Sequence, residues 1–169
     1  DQRSHVHGPG DGAPWIEDQM EQQFGAQGAY LVDFYHVCDY LAAAKVCAAN
    51  DSGWMEQQKN YLKTDRLPLV TAVLAPLQEP ETVPSDQAPV RACYRYLTNR
   101  PGQFNYQAAL DAGLPIGSGE VESAHRYVIQ KRLKLPGAWW KPDNAQTMLN
   151  LRVTRANGGW HRYWYALVA

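Results

Sequence analysis

The stretch that most constrains this chain runs from Leu114 to Trp140, LPIGSGEVESAHRYVIQKRLKLPGAWW. A glycine-rich turn, Gly117-Ser118-Gly119, leads directly into a helical pattern. Val121, Ala124, Val128 and Leu135 recur at spacings that fit one helix face, and Glu122, Arg126, Ile129 and Leu133 share another. With Gly119 as N-cap, Glu122 falls at the third helical position, where the helix start favours a carboxylate. Lys131, Arg132 and Lys134 occupy the last turn, where the helix dipole favours cations, and Leu135-Pro136-Gly137 ends the helix. Taken alone, the stretch also fits a well-capped surface helix.

The rest of the chain predicts an α+β fold that is mostly helical. Residues 1–10 are polar, rich in Gly, Pro and His, and show no usable periodicity, so a ragged end is expected there despite the alternating His5 and His7. Asp11-Gly12 marks a turn, and Pro14 suits the first turn of a helix running to about Phe24. Residues 29–34 (AYLVDF) read as a short buried strand. A helix from Tyr35 to about Ala49 follows, with an apolar stripe through Val37, Tyr40, Leu41, Ala44 and Ala48. Asn50-Asp51-Ser52 is expected to cap a further helix, and Leu67–Leu77 to form another. Gln78–Pro89, with three prolines and three acids, reads as a linker. Val90–Leu97 and Phe104–Ala112 read as helices. Asp143 and Gln146 have capping-box spacing, and an aromatic tail from Trp160 to Leu167 suits a last helix packed on the core or rings that stack on bases.

Composition excludes several classes. With 169 residues there is length for one domain with a core, and no apolar run reaches 18 residues, so no membrane span is expected. The chain begins at Asp1 without a charged-then-apolar leader, which suggests a processed or truncated piece. Cys38, Cys47 and Cys93 are odd in number and lack CxxC spacing; they read as reduced thiols in a cytoplasmic protein. Net charge is −1, yet it is unevenly spread. Residues 1–90 hold 5 Lys and Arg against 13 Asp and Glu, and residues 91–169 hold 11 against 4. A basic C-terminal half suits a polyanion, or pairs with the acidic half within the fold.

Asp11, Asp33, Glu120 and Glu122 are acids at expected element ends. Carboxylates drawn from separate elements are the hard oxygen ligands that Mg²⁺ requires, and a pair of such ions can clamp the attacking and leaving oxygens of a phosphodiester. Asp33 and His36 stand three apart in DFYH; Asp33 is also a natural helix cap that could hold His36 as its hydrogen-bond partner. The P-loop, GxSxG, HExxH and zinc spacings are absent, and GSGEVES lacks the third glycine of a dinucleotide fingerprint.

Four segments together carry a resemblance: DGAPWI (Asp11–Ile16), LVDFYHVCDYL (Leu31–Leu41), the block from Leu114 to Trp140, and NLRVTRANGGWHRYW (Asn150–Trp164). In this order, and over nearly the whole chain, they resemble bacterial insertion-sequence transposases of the ISKra family. The resemblance implies a DDE-type enzyme with an RNase H-like fold, in which three acids bind two Mg²⁺ or Mn²⁺ ions, DNA is cleaved and a freed 3′-OH attacks target DNA. By position, Asp11 matches the second acid and Glu122 the third. Asp33 and His36 match the D/CxxH pair also found in the Mutator-like group, and Glu120 lies where the family varies. Arg126, Lys131, Arg132 and Lys134 are the expected DNA contacts, and a complete transposase is expected to be oligomeric.

The match departs from the family at the first acid, which belongs on a strand well before the second. Only ten residues precede Asp11, and HVHGPG lacks the apolar pattern of a strand that would carry it. The expectation is therefore the C-terminal part of a partial RNase H-like domain, inactive alone. Residues of about 37–112 would form a helical insertion, and 113–169 the helix bearing the third acid plus C-terminal helices. Two rival readings are a non-catalytic DNA-binding or protein-interaction module derived from a transposase, and a small helical structural protein.

Overall fold

The computed structural model describes residues 4–48 and 52–168, apart from the side chains of residues 46–48. Two compact units divide the chain, Asp1–Ser118 and Gly119–Ala169. The fold is α+β and mostly helical.

The first unit starts with a strand, β1 (Val6–Gly10), where sequence reading expected none. It pairs in parallel with β2 (Gly28–Val32), from Val6 opposite Gly28 to Gly10 opposite Val32, and α1 (Pro14–Phe24) connects them. The strand was hidden by its composition. Val6 alone has strong strand propensity, while Pro9 withholds an N–H, which only an edge strand tolerates. Gly8 also lacks apolar signal because the space above it belongs to Met20 of α1: a Cβ there would stand 2.9 Å from the Met20 sulfur.

Behind the two strands, α2 (Phe34–Ala48) buries Phe34, Val37, Leu41 and Ala44, one stripe at helical spacing. It packs on α3 (Trp54–Lys63) and α5 (Pro89–Thr98), and α4 (Leu67–Leu74) packs on both of those. Val70, Leu74, Val90, Cys93 and Leu97 complete the core with Tyr106 from α6 (Tyr106–Asp111). Tyr106 donates its hydroxyl to the Val32 carbonyl at 2.9 Å, so the one polar atom of this buried ring is paired and ties α6 to β2. Burial pushes the Cys93 thiol up to about 12, which leaves it unreactive; Cys38 is also a free thiol, and the Cys47 side chain lies outside the described residues.

Two local expectations change. Asn50 and Asp51 lie outside the described residues, and α3 has Gly53 at its N-cap with no side-chain cap. The Gln78–Pro89 segment is a tied loop, not a free linker. The Glu79 carboxylate accepts from the backbone of Val90 (3.0 Å) and Arg91 (2.8 Å), capping α5. Arg91 returns its guanidinium to the carbonyls of Glu79, Pro80 and Val83. Local composition reads as a linker because the residue that organises it, Arg91, lies beyond it.

The second unit opens with one continuous helix, in which α7 (Gly119–Ala124) passes into a π-helical stretch (His125–Gln130) and then α8 (Lys131–Leu133). α9 (Pro142–Ala156) packs on the π stretch, and α10 (Trp160–Val168) follows. The Asp143–Gln146 capping box does not form: Lys141 is the N-cap, Pro142 starts the helix, and Gln146 instead donates to Asn150. No described residue of this unit is buried. Val121 and Leu135 are exposed, and Trp164 and Tyr165 keep 45% and 75% of their surface open. Among the described residues of this unit, none is buried for the aromatic tail to pack on.

Candidate active-site carboxylates

Gly10 and Val32 are the last paired residues of β1 and β2, so Asp11 and Asp33 leave the carboxyl ends of adjacent parallel strands at equivalent positions. In parallel sheets this is the end at which ligands are met. The two acids nevertheless have different surroundings.

Asp11 is exposed, and its turn is pinned from three sides. The Tyr96 hydroxyl donates to the Asp11 carbonyl at 2.7 Å. Gly12 N–H donates to the Tyr30 hydroxyl at 2.8 Å, and Arg100 Nε donates to the Gly12 carbonyl at 2.9 Å. Gly12 has φ +81°, and a Cβ there would lie 2.6 Å from Arg100 Nε, so only glycine fits. One carboxylate oxygen, Oδ1, accepts from Ala13 N–H at 3.0 Å. Oδ2 accepts no hydrogen bond from the described residues and is open to a ligand.

Asp33 is only 7% exposed, and both its oxygens are occupied. Oδ1 accepts from the backbone of Tyr35 (2.6 Å) and His36 (3.2 Å), capping α2. Oδ2 accepts from Ser118 twice, from N–H at 2.6 Å and from Oγ at 2.5 Å. Burial pushes this carboxyl up, but the four hydrogen bonds outweigh it and hold it below its ordinary value. The cap expected at Asp33 is present, with a different partner from the one expected: it binds the His36 backbone, while the His36 ring packs edge-on against Tyr40 and Tyr96. Asp33 thereby straps the Gly117-Ser118-Gly119 turn to β2, helped by Phe34 N–H donating to the Ile116 carbonyl at 2.8 Å. Gly117 admits the Tyr35 ring, which a Cβ would meet at 2.7 Å.

Glu120 and Glu122 lie in the first turn of α7 in the second unit, both exposed. A concavity of about 600 Å³ is lined there by Glu122, His125, Arg126, Tyr127, Gln130 and Lys131, among others. The π stretch explains this grouping. Its i→i+5 hydrogen bonding makes each turn wider, so the face that follows Glu122 and Arg126 reaches Gln130 and Lys131 in place of Ile129 and Leu133. The helix face expected from a uniform 3.6-residue period is corrected accordingly. Lys131 sits over the Tyr127 ring at 3.9 Å. Arg132 turns toward Trp140, 5.4 Å from its ring, and Lys134 lies just past α8. Of the four expected DNA contacts, two thus share the concavity with Glu122.

Residues that sequence reading missed are Tyr30, Tyr96 and Arg100, which hold the Asp11 turn, and Ser118, the partner of Asp33. Their partners lie 18 to 88 residues away, so no local pattern marks them. Among the described residues no three His, Cys, Asp or Glu side chains gather as a group that could hold a metal. As individual donors, Asp11 with its open oxygen and Glu122 on its exposed turn fit a hard divalent cation, whereas Asp33, saturated by N–H and O–H donors, does not. No helix among the described residues is long and apolar enough to cross a membrane.

No curated protein and no solved structure matches the chain. A family model, that of the uncharacterised protein family UPF0236, matches residues 1–165. That span takes in both strand-end acids, the Asp33–Ser118 strap and the Glu122 concavity, and the chain belongs to the family UPF0236.

Proposed function

We propose that this chain is part of a DDE-type DNA transposase, with an RNase H-like catalytic domain in which Asp11 and Glu122 are two of three metal-binding acids. The observation that carries this reading is Asp11: an exposed carboxylate with an open oxygen, just past a parallel strand, on a turn fixed by Tyr30, Tyr96 and Arg100. The resemblance of the Leu114–Trp140 block supplies the partner acid and the reaction class. Bound Mg²⁺ would activate the attacking oxygen and stabilise charge on the phosphodiester in flight. In this chain Arg126 and Lys131 would hold a DNA phosphate beside Glu122, and Asp33 would keep the Gly117-Ser118-Gly119 turn in place without touching metal.

These 169 residues offer only two of the three acids, so binding precedes cutting as a test. Duplex DNA should bind with log affinity falling linearly against log salt, by about 0.9 per phosphate contact. Fe²⁺ substituted for Mg²⁺ should cleave the backbone near residues 11 and 122 with peroxide, and Asp11→Asn or Glu122→Gln should abolish that cutting. Absence of any DNA shift at low salt would sink the reading.

The second unit favours one alternative, a non-catalytic DNA-binding module. It carries eight Lys and Arg against three acids and buries none of its described residues. DNA binding unaffected by both substitutions, with no iron cutting at either site, would select this alternative.

A further inference from the structure

A further concavity of the second unit, of about 450 Å³, is lined by the π stretch, α8 and α9, and the reading above gives it no role. Its walls are Tyr127, Val128, Lys131, Arg152, Arg155 and Ala156, so three cations line it and no acid does. None of the three forms an ion pair among the described residues. A hollow walled by charge of one sign focuses its field and draws a counter-charge into it.

The three cations are held differently. The Arg152 guanidinium lies against the wall itself: Nε donates to the Val128 carbonyl at 2.6 Å, and the terminal nitrogen Nη2 donates to the Tyr127 carbonyl. Its other terminal nitrogen, Nη1, donates to no described residue and is not shut off from solvent. A guanidinium fixed in this way can donate to an anion with little further loss of side-chain freedom. The Lys131 ammonium sits over the Tyr127 ring at 3.9 Å. Arg155 is exposed, three residues along α9 from Arg152, with its guanidinium 5.6 Å from the Trp160 ring. Tyr127 and Lys131 also line the concavity that holds Glu122 and Arg126, so the two hollows adjoin across one shared ridge.

From this we infer that the concavity binds a backbone phosphate of DNA, on the same strand as the phosphate beside Glu122. Arg152 and Arg155 hold it, and Lys131 on the ridge serves both phosphates. The pairing of the two hollows selects the ligand. A strand carries a phosphate at every nucleotide, so it can fill both at once, whereas a lone anion fills one and leaves the other uncompensated. Contacts of this kind fix the register of a strand without reading its sequence. The site thereby sets which phosphodiester lies at Glu122. The inference rests on the DNA reading for its ligand, and it adds a path for the strand across the π stretch.

The test measures duplex binding by the full chain across a salt series. Arg155→Gln should make the slope of log affinity against log salt shallower by about 0.9, and Arg126→Gln should do the same. The double variant should lose about 1.8, since two phosphate contacts go. A double variant no shallower than either single one would put both arginines on one phosphate and overturn the inference. Arg155→Lys, which keeps the charge, should restore the slope. Arg162→Gln removes a cation of the same unit that lines neither concavity, and it should leave the slope unchanged; an equal fall there would mean diffuse charge and no site. Polyglutamate at equal charge should compete less well than unlabelled duplex, and equal competition would overturn the assignment to a nucleic-acid strand. Arg155→Gln spares the bonds from Arg152, so hydrogen exchange across 125–130 should match wild type, which checks that the variant folds. Iron-directed cutting at residues 11 and 122 with a slope untouched by Arg155→Gln would sink this inference alone. The lowered slope without iron cutting would sink the transposase reading alone.

Discussion

Asp33 and Asp11 differ in what their oxygens already do: both of Asp33's are occupied, while one of Asp11's accepts no hydrogen bond from the described residues. Asp33→Asn keeps the shape but turns an amide N–H₂ toward at least one donor. It should destabilise the chain by about 1–3 kcal/mol in urea unfolding at neutral pH. Because the folded carboxyl sits below its ordinary value, its contribution is present above the unfolded pKa of about 4 and is lost as pH falls through the lowered folded value. The gap between wild type and variant should therefore narrow on acidification from pH 7 toward pH 3. A gap that widened would mean the carboxylate is not the stabilised form. Gly12→Ala should cost more than about 1 kcal/mol, since φ +81° and the approach of Arg100 both oppose a Cβ. Residue types alone made both acids visible in the sequence. What separated an exposed carboxylate from a saturated one was Ser118, 85 residues away from Asp33, which no spacing rule reaches.

At the scale of elements, sequence periodicity located α1, α2, α5 and α9 well because each carries a capping, proline or apolar signal of its own. It failed at β1, whose glycine admits a helix side chain in place of strand-forming residues. It also failed in the helix from Gly119, where a uniform 3.6-residue period was assumed across the π stretch. There Arg152 of α9 donates Nε to the Val128 carbonyl at 2.6 Å and a terminal nitrogen to that of Tyr127. Arg152→Met keeps the stem and removes these bonds. Hydrogen exchange across 125–130 should quicken several-fold in the variant, with α2 and α5 unchanged. Equal exchange in both proteins would mean that the π stretch stands without α9. The tied loop at Gln78–Pro89 illustrates the same limit: three prolines announce a break, and only Arg91, from α5, turns the break into a fixed structure.

For the whole molecule, burial is distributed unequally between the units. The first gathers a continuous core from β2 and α2 through α6, while the second has no buried residue between 119 and 168 among those described. Apolar burial is the main term offsetting chain entropy, so the second unit should be the weaker. Five of its seven aromatic rings are exposed, Trp139 with 98% of its area open, and they are interleaved with eight cations. Native-state hydrogen exchange should report two levels of protection, slow in α2 and α5 and fast in α9 and α10, with the fast set opening at a lower free energy. If DNA is the surface that the second unit lacks, saturating duplex should slow exchange in 119–168 by at least tenfold and leave α2 and α5 unaffected, and 0.5 M salt should reverse the gain. Protection already equal in the two units without DNA would contradict the account of a coreless second unit. Protection unchanged by DNA, with binding intact, would move the contact to the first unit and away from Arg126 and Lys131.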